Sequence, residues 1–182
     1  MKNALIIFLQ KLKNSFIWKL LLQFQKLILF TTSCVMVGVL GAVVLCRYVI
    51  HTDLFGYDEI VMISAFWMYF IGSSYAMEKR EHVRADILER ILPPIGIKWL
   101  HIISSILQTL IALETARLSI DYMINGFKIW PTTSAWGLPL ITSMSAVTIG
   151  MVIMAFYVVV QLLEELTGTA PAVGITSEER GQ

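Results

Sequence analysis

LILFTTSCVMVGVLGAVVLC, residues 27–46, decides the fold. It is 20 residues without a charge, and at ~1.5 Å per helical residue it spans the ~30 Å hydrocarbon core of a bilayer. A second uncharged run covers 60–77. A third, 129–163, holds a full span from about residue 138 with an apolar lead-in. Between them, 95–122 is apolar but carries Glu114, Arg117 and Asp121. The expected fold class is therefore all-α integral membrane, with four transmembrane helices at about 27–47, 58–78, 97–122 and 138–163 in one domain over 27–165.

Composition agrees with this. The chain has 182 residues, 57% apolar and 15% charged, and a mean hydropathy of +0.72. Four spans of about 20 residues leave only short connections and no separate aqueous domain. A net charge of +1 says nothing in bulk about nucleic acid or acidic substrates, and no nucleic-acid partner is expected; the placement of charge is informative. Lys2, Lys11, Lys13, Lys19 and Lys26 precede the first span. Lys79, Arg80, Arg84, Arg90 and Lys98 lie between the second and third. The first connection holds only Arg47, beside Asp53, Asp58 and Glu59, and the third only Lys128. The cationic excess on one side places both termini in the cytoplasm.

Outside the spans, residues 1–26 repeat Leu5, Leu9, Leu12, Phe16 and Leu20 at helical spacing among five lysines. That is the pattern of an amphipathic helix in the cytoplasmic interface, its lysines on anionic headgroups and Trp18 as an anchor. The connection 77–92 is dense in charge, places His82 and Asp86 at i, i+4, and ends at Pro93-Pro94, which cannot continue a helix. Pro131, Gly137 and Pro139 mark an outward loop carrying Trp130 and Trp136. Residues 166–182, without an apolar period, read as a disordered cytoplasmic tail.

Chemistry is scarce. Cys34 and Cys46 lie ~18 Å apart along one helix and cannot bridge each other; neither a lipoprotein site nor a cleaved signal fits them. Haem between helices needs paired histidines at matching depth, yet His51 is outside, His82 is in the cytoplasmic connection, and only His101 enters a span. No cofactor, metal or catalytic site is expected. Glu114, Arg117 and Asp121 stand at i, i+3 and i+7, one face of the third span. Such a stripe should face protein or water, as a paired face docking another helix. Gly72 with Ala76 and Ala146 with Gly150 supply small-residue spacing for close helix approach. The methionines suit gap filling rather than metal binding. These features describe a helper or anchor subunit.

Four short motifs in register carry a resemblance. Arg47-Tyr48 closes the first span and Tyr57-Asp58-Glu59 opens the second. Trp67, Gly72 and Ala76 follow, then Glu81-His82-Val83-Arg84-Ala85-Asp86 before Leu92-Pro93, and later Thr132-Thr133-Ser134-Ala135-Trp136-Gly137-Leu138-Pro139. Over roughly 27–165 the chain resembles the small, DctQ-like membrane subunit of tripartite ATP-independent periplasmic (TRAP) transporters. Tyr57 stands where that family often has Trp, and Asp58 replaces one of a Glu pair. The resemblance implies a non-catalytic scaffold in the bacterial inner membrane beside a large multispan transport subunit. It also implies a periplasmic substrate-binding protein, membrane lipids, a sodium gradient, and a small organic acid of the C4-dicarboxylate or sialic acid class as cargo. Arg47 with Asp58 and Glu59 is expected to form a charge cluster at the outer end of the first hairpin, and His82 with Asp86 one at the cytoplasmic end. An anchor for an electron-transfer enzyme is the alternative, and it lacks the paired histidines.

Overall fold

In the computed structural model residues 11, 15–79 and 94–167 are described, the side chains of 94–101 excepted. Helix α1, Phe16–Leu45, starts where the Ser15 side chain accepts from the amide of Ile17 at 3.4 Å. It runs into a π-helical turn, Cys46–Ile50, which ends at His51 in the left-handed conformation with φ 59°. Gly56, at φ 75°, then turns the chain into α2, Tyr57–Glu78. Asp58 and Glu59 lie in the first turn of α2, where carboxylates complement the helix dipole. Helix α3, Pro94–Ile129, opens on a proline, and α4 is Ile141–Thr167.

The first boundary differs from the sequence expectation. No break separates an interfacial segment over 1–26 from a span beginning at 27: α1 is continuous from Phe16. Nothing between Phe16 and Leu45 breaks a helix, and the polar Gln25 within it is fully buried and hydrogen-bonded. Residues 1–10 and 12–14, which hold the rest of the expected amphipathic helix, lie outside the described residues. So do residues 80–93, which hold most of the charged connection, and the tail from 168.

The helices stand in a row in the order α1, α2, α4, α3. Helix α4 sits inside the row and contributes the most buried residues, among them Ala146, Gly150, Ala155, Tyr157 and Val158. Its contact with α2 is tightest at Gly150, where an added Cβ would stand 2.7 Å from both Cβ and O of Phe70. Fully buried Ala146, one turn away, completes the expected close approach. The other small pair does less. A Cβ on Gly72 would meet only Leu29 at 3.4 Å, and Ala76 and Trp67 are half-buried. Against α4, helix α3 turns Thr109, Ala112, Ala116, Ser119 and Gly126, a single stripe of small residues by their spacing. Thr148 Oγ1 fastens the seam by donating to the Ser119 carbonyl at 2.9 Å.

Among the described residues three helices are long and apolar enough to cross a membrane: Phe16–Ile50, Tyr57–Glu78 and Ile141–Thr167. Helix α3, with Glu114, Arg117, Asp121 and Lys128, is not one of them.

Candidate functional site

Three polar features mark this apolar row, one at each end and one on its edge. At one end, 131–140 folds into a small hairpin in which Thr132 bridges Pro139. The Thr133 amide donates to Leu138 O and the Leu140 amide to Pro131 O, both at 2.9 Å. Left-handed Trp130 and Gly137, φ 48° and 67°, make the bends. This geometry aims three donors at one carboxylate. Thr133 Oγ1 donates to Glu59 Oε2 at 2.6 Å, the Trp136 amide to Oε2 at 3.0 Å and the Ala135 amide to Oε1 at 2.5 Å. Glu59 is buried, and hydrogen bonds to a charged acceptor contribute ~1.5–3 kcal/mol each. The Trp136 indole also roofs Gly56, whose added Cβ would stand 2.7 Å from Cδ1. One carboxylate thereby ties the start of α2 to the loop before α4.

At the opposite end a buried relay crosses three helices. Tyr157 OH donates to Gln25 Oε1 at 3.1 Å, Gln25 Nε2 to Ser74 Oγ at 2.9 Å, and Ser74 Oγ to the Ile71 carbonyl at 2.8 Å. Gln161 Nε2 donates to Met77 O at 2.5 Å. Trp18 closes over the relay with its ring edge-on to Tyr157 at 5.0 Å. Lys26 and Lys79 each reach the Tyr75 ring at 5.9 Å, so cations of α1 and α2 gather at one level, and Ser105 donates to Glu165 between α3 and α4.

The third feature is the α3 triad. Arg117 Nη2 donates to Glu114 Oε1 at 2.7 Å and Nε to the same carboxylate at 3.1–3.2 Å; Arg117 Nη1 stands 3.8 Å from Asp121 Oδ2. These contacts lie within α3, and no other helix among the described residues docks on this face. The three side chains are 58%, 64% and 58% exposed, opposite the seam with α4.

The expected outer cluster does not form. Arg47 turns to Asp53 at 3.8 Å, both exposed, while Asp58 stays exposed and Glu59 is taken by the 131–140 hairpin. The physical reason is hydrogen-bond supply: two amides and a hydroxyl converge on Glu59, outcompeting one flexible exposed guanidinium. His82 and Asp86 lie outside the described residues. Gln25, Ser74, Tyr157 and Gln161 were not singled out in the sequence. Their signal was a polar group inside an apolar run, which in a membrane must find a partner on another helix. Ser33 and Ser73 face the sulfurs of Met68 and Met154 at 3.6 and 3.8 Å, and Met144 occupies the space beside Gly126.

A row of apolar helices locked by buried hydrogen bonds at both ends defines a multi-pass membrane protein organised for packing. The profile of tripartite ATP-independent periplasmic transporters, DctQ component, matches residues 36–168. The chain belongs to this family, the small membrane subunits of TRAP transporters. Membership implies association with the large membrane subunit and a periplasmic binding protein. No curated protein matches the chain.

Proposed function

We propose that this chain is the fixed scaffold of a sodium-driven TRAP transporter in the bacterial inner membrane. It holds no substrate itself; it enlarges the static part of the complex while the large subunit carries a small organic acid, of the C4-dicarboxylate or sialic acid class, delivered by the periplasmic protein. Helix α3 is the fourth crossing, supported by its seam with α4 and by a length of 36 residues, ~54 Å. Both termini are cytoplasmic, supported by Lys26 and Lys79 meeting at one end of the row and the tryptophan hairpin standing at the other. The expected pairing of His82 with Asp86 and contacts with surrounding lipid belong to the same reading.

The observation that carries the scaffold reading is the double locking of the row. Glu59 at one end and the Gln25–Ser74–Tyr157 relay at the other tie helices that a moving carrier would have to separate. The test is reconstitution of the large subunit in liposomes with and without this chain, with a sodium gradient and a panel of small organic acids. Gradient-dependent uptake that requires the chain is expected. Equal uptake without it, or a haem absorbance band in the purified protein, overturns the reading.

A further inference from the structure

We propose that the charged face of α3 is where the large transport subunit docks inside the bilayer, and that it meets this face with a cationic or hydrogen-bond-donating side chain at mid-depth. The proposal rests on the small-subunit reading above and says which edge of the row is used.

Depth is the first argument. Ser105 of α3 bonds Glu165 near the inner end of α4, and Ile129 ends α3 on the outer side. Arg117 lies midway, about twelve residues or ~18 Å from each, beyond the reach of either headgroup region. Charge balance is the second. The triad has two carboxylates and one guanidinium. Arg117 commits Nε and Nη2 to Glu114 and comes no closer than 3.8 Å to Asp121, longer than a hydrogen bond. A donor supplied from outside would complete the acceptors that remain. Surroundings are the third. Exposed Leu110, Leu113, Leu118 and Ile120 flank the triad, giving an apolar rim around a charged centre. The opposite edge of the row differs, since α1 is uncharged from Leu27 to Cys46 and none of its most apolar window is buried. That edge is satisfied by hydrocarbon; the α3 edge is not. A second copy fits poorly, because two copies with the same topology bring Arg117 to Arg117 and Asp121 to Asp121 at one depth.

The test co-expresses the full chain with a separately tagged large subunit. A photo-crosslinking residue replaces Leu110, Leu118 or, on α1, exposed Val37. Adducts with the large subunit from the two α3 positions, at least fivefold above Val37, are expected. The near-isosteric pair Glu114→Gln and Asp121→Asn should lower co-purified large subunit three- to tenfold, with this chain's own membrane level unchanged as the control for insertion. Co-purification with adducts from Val37 alone overturns the assignment of the face and leaves the scaffold reading standing. Adducts between two copies of this chain, or unchanged yield in the double variant, likewise overturn the proposal. Failure of the wild-type pair to co-purify overturns both.

Discussion

The carboxylate of Glu59 lies 3.0 Å from the backbone nitrogen of Trp136, 77 positions further along the chain. Through it the first turn of α2 holds the hairpin that leads into α4, so one side chain sets the spacing of two neighbouring helices at that end of the row. The amides it accepts from have no other partner of that strength in the loop, which makes the arrangement sensitive to a small chemical change.

Glu59→Ala should destabilise the protein by ~2–3 kcal/mol, because it strands buried donors as well as removing the acceptor. Glu59→Gln, which keeps one carbonyl acceptor, should cost less. Thermal unfolding in detergent followed by tryptophan fluorescence reads both effects, since Trp136 is itself tied to the site. An unchanged melting curve for the alanine variant would mean that the hairpin is held by its own backbone bonds alone.

The glycines divide into two groups with opposite expectations. Gly150→Ala places a Cβ 2.7 Å from the Phe70 carbonyl and must push α2 from α4, a loss of ~1–3 kcal/mol. Gly38→Ala and Gly41→Ala meet nothing within 4 Å and should be neutral or raise stability by up to ~1 kcal/mol through helix propensity. Denaturation of the three variants side by side checks the ordering.

Tyr157→Phe leaves Gln25 Oε1 without its donor at a fully buried position, and ~1–3 kcal/mol should be lost. Adding Gln25→Met, which removes the orphaned acceptor and keeps an apolar side chain of similar length, should restore part of it. The relay is therefore non-additive, and a double-mutant cycle on unfolding free energies measures the coupling.

Arg47→Ala should leave the fold nearly untouched, within ~0.5 kcal/mol, since the pair with Asp53 is exposed and 3.8 Å long. Circular dichroism and melting temperature check this directly. A fall in transport by this variant alongside an unchanged melting curve would assign Arg47 to a partner contact rather than to the hairpin.

Legibility of the sequence followed the physics of each feature. Apolar run length is a strong signal in a bilayer, so the helices at 27–47, 58–78 and 138–163 are recognisable in α1, α2 and α4. Lysines signal the limit of an apolar span but do not end a helix, so α1 runs on past Lys26 and Lys19 toward Ser15. Pairing within the Arg117 triad was legible from i, i+3 and i+4 geometry, since it is local. The direction in which the triad faces was not, because it depends on which side of α3 meets α4. Glu59 shows the same limit. Its chemistry was visible, but the loop amides that claim it become neighbours only after the row assembles.

The row has unlike edges, hydrocarbon-compatible along α1 and charged along α3. Joining copies edge to edge in one direction would set charge against hydrocarbon, and joining two α3 edges would stack the triads on themselves. A head-to-tail interface that repeats is how subunits grow into open arrays, and this geometry denies it at every step. With the large subunit on the proposed α3 edge, the subunit becomes a terminating piece in the membrane plane, closing an assembly on one side without propagating it.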